Sequence, residues 1–334
     1  MKKLFVSLFI LGLVGINATH ARILTVSNVS GSIAMFTNVQ LAIDSAKTGD
    51  TVFVHASPTS YGTATIKRRI VLLGEGGKPN YTGISTQLGT FTIDTLAGIP
   101  VSGTVVMGLE LGNIQIKAGI KGILLKGCYI TSTVSLLGSG HIIANNVLSY
   151  IVTLGNNITF SNNIITVYNV QGGTNCVISN NIFLYNGSSY PAFQNLTNCT
   201  IVNNIILTTT AAISGGLGNS YSKNIQAGTD LPAGNFTGVQ PTNVFSETSV
   251  KVDMAVAQFL TARWTQLSTS VGKNAGTDGK DIGLYGGTFP WPSNKVFNGD
   301  PGLPKVEVVV LQNAVVAPNG TLKIDFKAKS ARAK

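Results

Sequence analysis

The chain has 334 residues, of which only 11% are charged, with 38 Gly and a formal net charge of +10 at pH 7. Its Lys and Arg fall in short clusters, with no basic stripe interleaved with aromatics, which argues against a nucleic-acid reader of the usual kind. The three Cys lack a Cys-x-x-Cys spacing, which argues against dithiol oxidoreductase chemistry.

The N-terminus opens Met1-Lys2-Lys3, continues as an apolar run over 4–16 and reaches Thr19-His20-Ala21, with small or tolerated residues at the −3 and −1 positions of a cleavage site. This reads as a secretory signal peptide, 1–21, too short and wrongly flanked for a membrane span. Its removal leaves 21 basic and 13 acidic residues, a formal +8, on a chain expected to be secreted or held at the cell surface without a transmembrane segment. Residues 22–49 are expected to form an N-terminal strand and a capping helix. Over 37–47, Val39, Ala42, Ile43 and Ala46 fall at i, i+3, i+4 and i+7, with Thr37 or Asn38 as N-cap and Gly49 as the stop. One apolar stripe on a short helix is what an exposed solenoid end needs as a lid. Asp50-Thr51-Val52-Phe53-Val54-His55 and Ile70-Val71-Leu72-Leu73-Gly74 follow as Gly-bounded β-rich stretches.

The middle of the chain repeats one phrase, apolar alternation into Asn-Asn and another apolar residue, with the first Asn at 145, 162, 180 and 203, intervals of 17, 18 and 23 residues. A period near twenty with short period-2 stretches predicts a solenoid of β-strands, one coil per interval. Asn tolerates the left-handed conformation of a sharp corner, and its amide can bond the same amide one coil away. A structural ladder through Asn145, Asn162, Asn180 and Asn203 is therefore expected, with the second Asn of each pair also aligned. Ile143, Phe160, Ile178 and Ile201, two residues earlier, should form an inward column. Gly occupies the corresponding corners upstream, near Gly108 and Gly127. Cys176 and Cys199 should share the inward column of His141 and Ile158 on adjacent coils, as free thiols or as a disulfide, since stacked strands lie about 4.8 Å apart. A closing helical and loop segment, 250–300, is expected to cover the other end of the 50–300 body. The 301–334 tail reads as a β-hairpin with a basic end, which should dock on the solenoid or on a partner, or support self-assembly, because a lone hairpin is marginal in water.

Three segments, "FTNVQLAIDSAKTGDTVFVHASPTSYG…IKRRIVLLGEGG" over 36–77, the "NNI" coils, and "LSTSVGKNAGTDGKDIGLYGG" over 267–287, resemble the secreted right-handed parallel β-helix family, pectin-lyase-like in fold, of Bacteroidetes-type bacteria. The last segment is similar to the close of choice-of-anchor β-helix proteins, although Thr269-Ser270-Val271 stands where the family has Ser-Pro-Ala. The resemblance implies an all-β, right-handed parallel β-helix with an N-terminal capping helix and a C-terminal β-rich tail. It leaves the activity open, since the fold hosts lyases, hydrolases and surface proteins alike.

Hydrolases of this fold present paired carboxylates, and lyases usually hold Ca²⁺ with several acids. Residues 111–229 contain no Asp or Glu. The expected function is therefore a non-catalytic, cell-surface structural, adhesive or carbohydrate-binding protein, with no cofactor and no metal site. The alternative is a metal-independent lyase acting on acidic glycans through Lys117, Lys126 and Tyr168. Tyr150, Tyr168 and Tyr185 follow successive Asn pairs at similar offsets, with Tyr190 and Phe193 in the longest interval. Stacked aromatics suit the apolar faces of an extended sugar chain. Lys67-Arg68-Arg69 with Lys117, Lys121 and Lys126 suggests contact with an acidic polysaccharide or an anionic surface. Asp278 and Asp281 read as a capping turn, lacking the terminal acid of a calcium loop.

Overall fold

The structure, a computed structural model, describes residues 21–76, 84–167, 169–184, 190–209, 211–245, 264–292, 305–311 and 324–329. Each coil apart from those at the two ends contributes one short strand to each of three parallel sheets, of ten, eight and eight strands. Sheet A holds Ile142–Ala144, Thr159–Ser161, Val177–Ser179 and Thr200–Val202; sheet C holds the two-residue strands that follow the Asn pairs, such as Val147–Leu148; sheet B holds Val152–Asn156 and its equivalents. The fold is the expected parallel β-helix, all-β apart from one α-helix and a single turn of 3-10 helix among the described residues.

The helix α1, Val39–Ser45, is capped by Asn38, whose side chain accepts the Leu41 amide. Val39, Ala42, Ile43 and Ala46 are all buried in the main core, as the apolar spacing requires. α1 is also a crossover: it links Ile23–Val26 to Thr51–Val54, which pair in parallel. Buried Asp50 fixes that junction, accepting the Lys47 amide and the Arg22 amide and guanidinium, with Arg22 Nη2 at 2.7 Å. Burial pushes the Asp50 carboxyl up, but these donors outweigh it and hold the group below its ordinary value.

Period-2 alternation places every second residue of a strand inside. Ile143, Phe160, Ile178 and Ile201 pair in register and are completely buried, so the expected column is present. Corners between sheets A and C need positive φ, supplied by Gly108 (68°) and Gly127 (64°) and then by Asn145 (56°), Asn162 (55°), Asn180 (58°) and Asn203 (59°). A second Asn corner, between sheets B and A, lies at Asn157, Asn175 and Asn198, with φ of 54°, 56° and 51°.

The amide ladder runs through the second Asn of each pair, not through Asn145, Asn162, Asn180 and Asn203 as expected. Asn146 donates its backbone N–H and Nδ2 to Asn163 Oδ1 at 2.9 and 3.0 Å, and Asn163, Asn181 and Asn204 repeat the pattern toward Asn181, Asn204 and Asn224. Each Nδ2 also caps an inward-column carbonyl, as Asn163 does with Ile143 O at 2.9 Å. Asn224 extends the ladder to Asn235, and the Cys128 amide closes its other end on Asn146 Oδ1. The physical reason is direction. The left-handed corner residue points its side chain away from the coil axis, whereas the next residue points inward, where the only partners are neighbouring amides and carbonyls.

The first Asn of each pair instead clasps the closing segment. Asn145 Nδ2 donates to Phe289 O at 2.7 Å, Asn162 to Leu284 O and Gly286 O at 3.0 and 2.8 Å, Asn180 to Gly283 O at 3.1 Å, and Asn203 to Thr277 Oγ1 at 2.8 Å. Of the closing segment expected over 250–300, residues 264–292 are described and run mostly as turns and bends; the rest lies outside the described residues. The described part covers the outer face of sheet C, where Val147, Ile164, Ile182, Ile205 and Ile225 form a second apolar core with Leu284, Trp264 and Trp291. The apolar residue after each Asn pair is thus a buried outward-facing residue. At the C-terminus, Lys305–Leu311 and Ile324–Lys329 pair antiparallel, the expected hairpin strands.

Candidate functional site

The outer face of sheet B forms one in-register column, Thr65, Thr92, Gln115, Ser135, Thr153, Gln171, Gln194 and Ser214. Eight coils of hydroxyl and amide groups, each at least partly exposed, run along it without a charged residue. At about 4.8 Å per coil the column is roughly 34 Å long. Its side chains are held in place: Gln171 Nε2 donates to Thr153 Oγ1 at 3.2 Å, and buried Asn169, outside the column, donates Nδ2 to Gln194 Oε1 at 2.8 Å.

Tyr150 lies at the turn from sheet C into sheet B, two residues before Val152, with 37% of its surface exposed; Tyr190, 48% exposed, precedes the sheet B strand Phe193–Gln194 two coils further on. Tyr168 and Tyr185 lie outside the described residues. Phe193 is not a ligand-facing residue as expected: it is 1% exposed and packs edge-on against Phe183 in the core, ring centroids 4.9 Å apart. The inward phase of its strand, in register with Val170, dictates this.

Of the alternative catalytic residues, Lys117 and Lys126 stand on different sheets. Lys126 stands on the outer face of sheet A, where burial lowers its amine pKa and its Nζ lies 5.8 Å from the Phe289 ring centroid. Lys117 follows the sheet B strand Ile114–Ile116. Lys117, Lys67 and Asp94 follow three paired residues, Ile116, Ile66 and Ile93, at the edge of sheet B. Arg69 and Lys121 come to the turn that follows this edge: the Arg69 side chain lies beside Gly103, whose N–H bonds Lys121 O at 3.0 Å, and Lys121 is bridged to Ser139 at the end of a sheet B strand. Separate sequence clusters thus converge on one cationic edge beside the neutral polar column, with Asp94 as the acid among them. Lys67, Arg69, Lys117 and Lys121 make no ion pair among the described residues.

His141 is completely buried, in the column of Ile158, Cys176 and Cys199. Burial pushes its imidazole pKa down to about 4, and its Nδ1 accepts the Ile123 amide at 3.1 Å, so the ring is neutral with Nε2 carrying the proton. Asn219, further along the same column, acts likewise, its Oδ1 accepting the Cys199 amide at 2.8 Å. All three Cys are free and buried. Burial pushes the Cys128 thiol up to about 12, and a hydrogen bond to Cys199, with burial, pushes the Cys176 thiol up. Asp278 accepts the Gly287 and Lys280 amides at 2.8 and 3.1 Å, and Asp281 accepts Lys273 Nζ at 2.8 Å, the geometry of the expected capping turn. The described residues hold no group of three or more His, Cys, Asp or Glu that could bind a metal ion.

One pair escaped the sequence reading. His55 Nδ1 lies 2.9 Å from Glu75 Oε1, in an outward column of sheet A with Ser27, at an open cleft of about 480 Å³ bordered by Val29 and Ile33. The two residues are 20 apart, and the coil spacing at the N-terminal end was not visible without the repeat phrase. No helix among the described residues is long and apolar enough to cross a membrane. The chain matches no protein-family model and no curated protein.

Proposed function

We propose that the protein is an exported, non-catalytic β-helix that binds an acidic polysaccharide along the outer face of sheet B. The uncharged Thr, Gln and Ser column carries this reading. Hydroxyls and amides exchange hydrogen bonds with sugar hydroxyls at a smaller desolvation cost than charged groups would incur. Tyr150 and Tyr190 border the column and offer aromatic faces to sugar rings. Lys67, Arg69, Lys117 and Lys121 neutralise carboxylates or sulfates at the N-terminal end of the same face. The short apolar run before Thr19-His20-Ala21 supports export, and the C-terminal strand pair is the element proposed to attach the protein to a surface partner.

Affinity electrophoresis and calorimetry against acidic and neutral polysaccharides test the reading. Retardation by an acidic glycan, weakened by salt and reduced about tenfold in Gln171→Ala and Tyr150→Ala, is expected, without release of unsaturated sugars. Absence of binding to every glycan would sink the proposal. Release of unsaturated product, lost in Lys117→Ala or Lys126→Ala, would replace it with the lyase.

A further inference from the structure

Cys176 and Cys199 immediately precede residues that pair in register, Val177 with Thr200, and the Thr200 amide bonds Cys176 O at 2.9 Å. They are therefore stacked on adjacent coils, where neighbouring strands lie about 4.8 Å apart, inside the roughly 4.4–6.8 Å Cα separation that a disulfide accepts. The two side chains approach each other: Cys199 Sγ accepts the Cys176 amide at 3.3 Å. Both sit in the apolar core and donate to carbonyls, Cys176 Sγ to Gly155 O at 3.4 Å and Cys199 Sγ to Thr197 O at 3.3 Å. Gly173 keeps the space open, since a Cβ there would sit 3.2 Å from Cys176 Sγ. Cys128 belongs to a different column, at the head of the Asn ladder.

We infer that Cys176 and Cys199 are a redox modification site, a dithiol that closes to an inter-coil disulfide across the longest interval of the repeat. Two S–H bonds break and one S–S bond forms. The two electrons and two protons pass to a disulfide-class oxidant, whose S–S bond is reduced to two thiols. Both thiols are 1% exposed in the folded chain, so the exchange takes place as the coils stack during folding, with Cys128 left as a thiol.

Refolding the full chain with oxidised glutathione, then alkylating under denaturing conditions and mapping peptides by mass, tests this. The expected result is one alkylated Cys, Cys128, one linked pair of peptides containing Cys176 and Cys199, and a raised unfolding midpoint that falls back on reduction. Cys128→Ser should leave the linkage intact, and Cys199→Ser should abolish it. Three alkylated Cys in refolded protein, glutathione adducts in place of the linkage, or a bond through Cys128 would each overturn the assignment.

Discussion

The coils up to Lys126 and those from Ile142 onward share the same three sheets but differ at one corner and one face. In the first group the corner is Gly108 or Gly127, and the outer face of sheet C carries half-exposed Gln87 and Glu110. In the second the corner is Asn in four coils and Lys223 (φ 56°) in the last, and the same face carries Val147, Ile164, Ile182, Ile205 and Ile225 beneath the closing segment. Gly supplies the left-handed backbone and nothing more. Asn supplies the backbone and an amide that reaches the covering chain. The doublet therefore divides two tasks: the first Asn turns the corner and holds the cover, and the second seals the inner wall of the coil. Tyr129, the last apolar residue of the covered face, marks the border between the groups.

The largest expected effect comes from the inner wall. Asn163→Leu strips partners from the Asn146 amides, Ile143 O and Asn181 Oδ1. At about 1–3 kcal/mol for each buried group left unpaired, the loss should reach about 3–5 kcal/mol in chemical denaturation. A loss under about 1 kcal/mol would break the distinction between the two Asn.

His141 gives the next effect, at the border of the two groups. Its folded pKa, near 4, lies below the ordinary 6.5, so the unfolded chain binds a proton in this window that the folded chain does not. Stability should therefore fall as pH drops from about 6.5 to about 4, by about 3 kcal/mol in all. His141→Asn keeps an acceptor for the Ile123 amide, as Asn219 does for Cys199, and should flatten that stretch of the profile. An unchanged slope of melting temperature against pH would contradict a buried neutral imidazole.

Asn162→Gly keeps the corner and loses two bonds to the closing segment, which at about 0.5–1.5 kcal/mol each should cost about 1–2 kcal/mol. A cost matching that of Asn163→Leu would erase the proposed division of labour. In the first group Gly127→Asn should change stability by less than about 0.5 kcal/mol, since Asn tolerates the left-handed corner. Gly127→Val, with a β-branched side chain at φ 64°, should lose about 1–2 kcal/mol at the same site.

The repeat phrase made the architecture legible because the Asn pair and the alternation around it follow from local chemistry: a left-handed corner, an inward residue and a period of one coil. The inward column and the capped helix were legible for the same reason. Which Asn faces inward was not, because both readings satisfy the same spacing and only the direction of the side chain after the corner separates them. The closing segment was expected over the end of the solenoid, and its place along sheet C was invisible, since Gly283, Gly286 and Phe289 meet the Asn corners over separations of more than 100 residues. Phe193 was misplaced because the insertion before it broke the count from the Asn pair. The polar column of sheet B lay in plain view as Thr, Gln and Ser residues, but only the coil register aligns them.

Hydrogen–deuterium exchange on a variant carrying Asn162→Gly, Asn180→Gly and Asn203→Gly tests the central division most directly. The backbone corners survive in this variant while the clasp is removed. The amides of Ile282, Gly283 and Trp291, which bond Gly272 O, Asn203 O and Leu284 O at 2.9 Å in the closing segment, should lose protection. Those of Ile164, Ile182 and Ile205, bonded at 2.9 Å to Asn146 O, Asn163 O and Asn181 O of the ladder coils, should keep theirs. Equal loss of protection in both sets, or no loss in either, would contradict the account.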